Sequence, residues 1–295
     1  MPIPVFRFAP SPNGWMHAGH ALSAILNHDL ARTMGGRFLL RIEDIDPARA
    51  REEHVEQIFT DLAWLGLTWE LPVRRQSRHM ADYKAAADRL MADGLLYACY
   101  ATRKDIDAAT GGGAADPDDA PLVRRSVPPL PVDETERRRA AGEPYALRLD
   151  MTRALANAAK LGHSRFSFHT FDPDGHQTES PADPGRWGDP VIVRKETPTS
   201  YHLSVVVDDA IQGISHVVRG TDLLAATDLH RLLQILLGLP APSYFHHRLI
   251  TDPAGRKLSK SVGDSSLASL RQAGVTAAAL RAQVLTALQT SFSSQ

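Results

Sequence analysis

Val5-Phe6-Arg7-Phe8-Ala9-Pro10-Ser11-Pro12-Asn13-Gly14-Trp15-Met16-His17-Ala18-Gly19-His20 is the stretch on which the reading of the fold turns. Apolar and polar residues alternate at its start, as they do in a strand. Two prolines and an Asn-Gly pair then break the pattern, and a helix resumes near Met16. The result is strand, sharp loop, helix, with His17 and His20 three apart on the first helical turn. That spacing sets both imidazoles on one face, at the helix end where backbone N–H groups point outward and the dipole favours anions. Such a site suits the phosphates of a nucleotide. Two histidines at this spacing also suit half a metal site, but no second ligand cluster in the sequence offers a partner for them.

Working outward, strand and helix continue to alternate. Strands are expected at 3–8, 37–42 and 73–76, and helices at 16–34, 51–65 and 79–93. Val55, Ile58, Phe59, Leu62 and Leu65 show the helical period within the second of these. This rhythm argues for parallel βαβ units in an α/β fold, a Rossmann-like doubly wound parallel sheet. Between Tyr97 and Pro190 the rhythm fails: a Gly/Asp/Pro loop spans 111–121, breakers stand at 128–131, and only 145–150 and 165–171 look like strands. The run Arg137-Arg138-Arg139 reads on charge alone as a solvated helix face. The pattern resumes with strands at 191–195, 214–219 and 244–250 and helices from Tyr201 and across 222–237, before helical segments at 266–273 and 276–288. The expected organisation is a first Rossmann half at 1–97, an insertion subdomain at 98–190, a second half at 191–250, and a loop plus short C-terminal helical segment at 251–295.

The totals limit what such a fold can be asked to do. A formal net charge of -1 gives no global argument for nucleic-acid binding, so any such surface must be a local patch. A single cysteine, Cys99, excludes an internal disulfide or a thiolate cluster and fits a reducing compartment. No secretory signal is visible, and the most apolar run, 232–239, is too short to span a bilayer. A cytoplasmic protein with no membrane partner, monomeric, is expected.

A second signal stands near the end: Lys257-Leu258-Ser259-Lys260-Ser261, after the last expected strand and close to Gly255. Alone it is a basic loop of a common kind. In this fold its lysines can close over a triphosphate as mobile point charges. Taken together with His17-Ala18-Gly19-His20, in this order and at this distance, it resembles the paired signatures of the class I aminoacyl-tRNA synthetases. The surrounding words Arg7-Phe8-Ala9-Pro10-Ser11-Pro12, Arg41-Ile42-Glu43-Asp44-Ile45-Asp46 and Val206-Val207-Asp208-Asp209…Val218-Arg219-Gly220 look like the glutamate-specific group. The resemblance covers nearly the whole chain except about 99–144.

A glutamate pocket needs cations for two carboxylates and a carboxylate for the ammonium. Arg7, Glu43 and Arg219 all fall at expected C-terminal strand ends, where open α/β sheets bind ligands. The resemblance implies that Arg7, Phe8, Ala9, Pro10, Ser11, Glu43, Tyr201 and Arg219 contact glutamate. It implies that His17, His20, Lys257, Ser259 and Lys260 bind ATP with Mg²⁺, and that His17, His20 and Lys260 serve catalysis. Full-length glutamyl-tRNA synthetases carry a large anticodon-binding region after the lysine loop, and 295 residues leave too little chain for one. The sequence therefore looks like the shorter paralogue family, the glutamyl-queuosine tRNA(Asp) synthetases. That likeness implies L-glutamate and queuosine-bearing tRNA(Asp) as partners, with activation independent of tRNA. Family members often hold zinc through several cysteines; here only Cys99 of Cys99-Tyr100-Ala101 remains, so no structural zinc and no resident protein metal site is expected. The alternatives are a minimal glutamyl-tRNA synthetase acylating a tRNA 3′ end, a small-molecule adenylyltransferase, and a silent tRNA-binding paralogue.

Overall fold

In the strand β1 (Val5–Phe8) all four residues are buried, and in β2 (Arg37–Ile42) every residue after the first. Burial on both faces is what a parallel strand between helical layers requires. Side-chain alternation then divides each strand between two cores. Phe6, Phe38, Leu40 and Ile42 face a cluster that includes α1 (Ala18–Thr33), α2 (Glu52–Trp64) and residues of α9 (Leu267–Gln272) and α10 (Ala277–Thr290). Val5 and Leu39 join Val217 and Tyr244 in a separate cluster. Arg7 and Arg41, in step with Val5 and Leu39, take the same face and meet the acidic end of α7 (Tyr201–Ile211). A further core gathers α7 with α3 (Met80–Ala92), α6 (Met151–Lys160) and α8 (Ala226–Leu237).

This computed structural model describes residues 2–126, 128–250 and 266–290. Lys257, Ser259 and Lys260 lie outside the described residues. The main sheet has seven strands in the order β3 (Glu70–Arg75), β2, β1, β9 (His216–Gly220), β10 (Ser243–His247), β6 (Phe166–Phe171), β7 (Gln177–Ala182). All neighbouring pairs in it are parallel except β6 with β7. A second sheet of three antiparallel strands joins β4 (Leu96–Cys99), β5 (Ala146–Leu149) and β8 (Val191–Val193). The first crossover is tight: Gly36 passes Pro4 so closely that a Cβ there would lie 2.5 Å from the Pro4 carbonyl oxygen.

The doubly wound α/β class read from the sequence is the observed one. The segment 98–190, however, does not make a sheet of its own. Its β6–β7 hairpin joins the main sheet through β10, with Tyr244 opposite Thr170, while its other strand, β5, belongs to the small sheet. The helices α4 (Arg103–Thr110) and α5 (Val132–Ala140) bury no residue and lie in the stretch where sequence periodicity fails. On α5 the arginine run is spent locally: Arg137 pairs with Glu134, Arg138 with Glu134 and Asp105, and Arg139 with Glu136.

Candidate active site

The strand order reverses direction between β1 and β9: the chain winds from β1 to β2 on one side and places β9 on the other. Ligands of open α/β sheets bind in the crevice at the strand C-termini where that happens. A cleft of about 440 Å³ lies there, lined by Arg7 to Ser11 from β1 and its loop, His17 and His20 from α1, Glu43 after β2, Tyr201 of α7 and Arg219 of β9. Every site residue expected from the sequence and described in the structure therefore faces one cavity.

The loop after β1 is held by its own carbonyls. The Glu43 backbone N–H donates to Pro10 O at 3.0 Å, and the Arg51 N–H donates to Pro12 O at 3.1 Å. His54 Nδ1 stands 3.1 Å from that same Pro12 oxygen, an arrangement that puts its proton on Nδ1. The helix that follows is capped by the two motif histidines. His17 Nδ1 accepts the Gly19 N–H at 3.1 Å, and His20 Nδ1 accepts the His17 N–H at 3.2 Å, a reciprocal capping box. Acceptance at Nδ1 leaves the proton of each neutral ring on Nε2, so each ring keeps a donor at Nε2. Gly19 belongs to this arrangement, since a Cβ would lie 3.0 Å from the His17 ring.

Behind the cleft, arginines and carboxylates are matched. Asp209 Oδ1 accepts from Arg7 Nε at 3.2 Å and from Arg41 Nη1 at 2.7 Å. Arg41 Nη2 donates to Glu43 at 3.1 Å, and its Nε lies 3.7 Å from Asp208. Asp208, fully buried, accepts from Arg74, Gln76 and Tyr83 at 2.7–3.0 Å. The two ends of this network titrate in opposite directions. Burial pushes the Glu43 carboxyl above its usual range despite Arg41 and Arg7. Burial also acts on Asp209, but there Arg7 and Arg41 outweigh it and hold the carboxyl low. Arg7 is anchored through Nε alone, with no partner for its Nη groups among the described residues.

Arg219 is placed differently. It is 5% exposed, and no carboxylate among the described residues lies within 4 Å of its guanidinium. Nη2 donates to Thr227 at 2.8 Å, Nε to His246 at 3.2 Å, and Nη1 reaches the Tyr201 hydroxyl and His230 at 3.4 Å each. Its Cζ sits 5.3 Å from the centre of the Tyr244 ring. Burial, reinforced by Arg219, lowers His246 to about 3 and holds His230 well below the usual imidazole range. The partners are thus neutral, and a buried cation with neutral partners is a receptor for an anion.

Sequence reasoning missed several members of the site. Asp208 and Asp209 were read only as part of a motif word; two adjacent acids directly after the mostly apolar run from Leu203 to Val207 were themselves the signal that buried counter-ions existed. His230 carried no signal among thirteen histidines. Among the described residues, Asp172, Asp174 and His176 bring ligand atoms within 4.8 Å of one another, but at the exposed β6–β7 turn rather than in the cleft. Asp172 there accepts the backbone N–H groups of Asp174 and His176, as in an ordinary turn.

Residues 5–289 match the family described as tRNA synthetases class I (E and Q), catalytic domain. The chain belongs to that family. The chain is 44% identical over 282 residues to the glutamyl-Q tRNA(Asp) synthetase of Rhodobacter capsulatus, covering 94% of its length and 98% of that relative. It is 36% identical over 274 residues to glutamate–tRNA ligase 2 of a Ruegeria species, covering 93% of the chain but 58% of that longer relative. Among solved structures, the glutamate–tRNA synthetase of Elizabethkingia anophelis superposes with a TM-score of 0.70 at 26% identity, covering 88% of the present chain and 53% of that one. Membership makes the chain an enzyme of ligase type. No described helix is long and apolar enough to cross a membrane.

Proposed function

We propose that the protein activates L-glutamate with ATP, without tRNA, and transfers it to the cyclopentenediol of queuosine at the first anticodon position of tRNA(Asp). The amino-acid half is carried by one observation: Arg219 is a buried guanidinium with neutral partners, in the same cleft as Arg7, Glu43 and the two capping histidines. Arg7 and Arg219 receive the substrate carboxylates, Glu43 receives the ammonium, and Tyr201 adds a phenol hydrogen bond beside Arg219. Phe8 to Ser11 form the wall along the substrate. The α-carboxylate attacks the α-phosphorus of ATP, pyrophosphate leaves, and glutamyl-adenylate remains bound. His17 and His20, as Nε2–H donors, stabilise charge on the phosphates, together with Lys257, Ser259 and Lys260. Magnesium enters as the counter-ion of ATP. Catalysis of this kind is mainly positioning and electrostatics. In the second step a queuosine hydroxyl attacks the glutamyl carbonyl and AMP leaves.

The acceptor assignment is supported by the greater identity to the glutamyl-Q tRNA(Asp) synthetase relative than to the glutamate–tRNA ligase. A cis-diol on a cyclopentene ring also presents the same pair of hydroxyls as a terminal ribose. The proposal includes the division into Rossmann halves at 1–97 and 191–250, an insertion at 98–190 and a lysine loop with C-terminal helices at 251–295. It also includes a monomer working in the cytoplasm. The test is labelling of tRNA with radioactive glutamate, using tRNA made with and without queuosine. Labelling that requires queuosine and stays with the anticodon fragment supports the proposal. Labelling of the 3′ end would make the protein a minimal glutamyl-tRNA synthetase, and loss of ATP–pyrophosphate exchange with glutamate would make it a silent paralogue.

A further inference from the structure

Behind Arg219 runs a chain of polar contacts that leaves the cleft and ends on the insertion. Arg219 Nη1 lies 3.4 Å from His230 Nδ1, His230 Nε2 lies 3.2 Å from His202 Nδ1, and His202 Nε2 lies 3.5 Å from Asp118 Oδ2. A guanidinium only donates, so His230 Nδ1 is the unprotonated, accepting nitrogen. The proton of neutral His230 is therefore on Nε2, where it is donated to His202 Nδ1. That leaves the His202 proton on Nε2, facing the Asp118 carboxylate. Each link sets the tautomer of the next. Both imidazoles are buried, and neither lines the cleft. His202 is braced by Trp187, edge-on to its ring at 5.0 Å between centroids.

The outer end is ordered in its own right. Asp116 Oδ1 accepts the backbone N–H groups of Asp118 and Ala120, and Ala115 pairs with Pro121 as an isolated bridge. The Gly/Asp/Pro loop at 111–121 thus presents Asp118 at a defined place over α7.

We propose that His202 and His230 are positioning residues that hold Arg219 in register for a carboxylate of the amino acid, with Asp118 as the outer anchor of the relay. The inference rests on the reading of Arg219 as a glutamate-binding residue. Without the relay, the Nη1 edge keeps only Tyr201, itself 3.4 Å away, and the guanidinium is free to rotate about its remaining contacts with Thr227 and His246. The loss should fall on glutamate and spare ATP, which other residues of the cleft hold.

The test is ATP–pyrophosphate exchange by the full chain, with KM measured separately for glutamate and for ATP. His202→Leu should raise the glutamate KM about 10-fold, the scale of a hydrogen bond in a charged network, with the ATP KM and kcat changed less than about twofold. His202→Asn, whose side-chain oxygen can stand near the lost Nδ1, should restore the glutamate KM to within about threefold of the parent. Asp118→Ala, on an exposed loop where folding is not at stake, should raise it about two- to threefold. Unchanged glutamate KM in Asp118→Ala and in whichever His202 variants fold would overturn the relay, as would equal losses for glutamate and ATP or a failure of asparagine to restore what leucine removed. Absence of glutamate-dependent exchange in the parent protein would instead overturn the proposed function, and the relay with it.

Discussion

Arg41 and Arg219 are both buried arginines near the C-terminal ends of strands of one sheet, and their surroundings are opposite. Arg41, with 0% exposure, is enclosed by Asp209, Glu43 and Asp208. Arg219, with 5%, is enclosed by a threonine, a tyrosine and two imidazoles. The first is a charge already matched, and its effect is to fix the geometry of Glu43 and of Arg7 through their shared Asp209. The second is a charge waiting for a match. A chain can thus use one residue type twice in one cleft, once as a structural ion and once as a receptor, with the difference residing entirely in whether carboxylates or neutral acceptors surround it.

That contrast can be broken most directly by removing each cation. Arg41→Ala leaves three buried carboxylates short of their counter-ion and should cost about 3–5 kcal/mol of stability in denaturant unfolding. A loss below about 1 kcal/mol would mean the network is not the structural half of the site. On the ligand side, His17→Ala and His20→Ala should each slow ATP–pyrophosphate exchange on the order of 10²–10³-fold, the scale of one transition-state donor. Each should also lower stability by about 1 kcal/mol through the lost helix cap. Near-parent exchange in both variants would remove these rings from the chemistry. Arg219→Met should destabilise by no more than about 1–2 kcal/mol, because only neutral partners lose a donor, while glutamate-dependent exchange falls at least about 100-fold. If its unfolding cost equalled that of Arg41→Ala, the contrast would fail.

Acid sharpens the same comparison with the smallest effect. His230 and His246 have folded pKa values pulled far below those of the unfolded chain, His246 to about 3. The unfolded state therefore takes up protons near pH 6.5 while the folded state does not. The stability they contribute is present above that pH and is lost as pH falls toward their folded values. Between pH 7 and pH 5.5 the loss should be about 1 kcal/mol for His246. His246→Gln should remove its share of that slope, measured as unfolding free energy at the two pH values. Asp209 gives its stability up only in more acid solution, since Arg7 and Arg41 hold its folded pKa below the usual carboxylate range. Of these groups, the histidines around Arg219 thus lose their contribution before Asp209 does.

Much of the site was legible because it is local. His17-Ala18-Gly19-His20 is contiguous, its caps form within one turn, and Arg7 to Ser11 follow directly from the first strand. Glu43 and Arg219 fall at expected strand ends, but it was the resemblance of the surrounding words to the glutamate-specific group that singled them out. What stayed hidden depends on partners distant in sequence. Arg219 looks no different from a surface arginine until Thr227, His230 and His246 are seen around it. Asp118 lies 84 residues before His202 and belongs to a stretch where periodicity is silent. The β6–β7 hairpin was missed as part of the main sheet because β6 meets β10 through a single registered pair, Tyr244 with Thr170, across an interval that spans several other elements.

The sequence by itself determined the alternation of strands and helices, the placement of the cleft at the strand ends, and the chemical types gathered there. The first two follow from local pattern, period and breakers; the third came from the resemblance carried by the order and wording of the motifs. Only the tertiary structure decided which charges are satisfied. Whether a buried arginine is a structural ion or a receptor depends on the polar atoms within 4 Å of it, and folding brings those together from segments that no local rule connects.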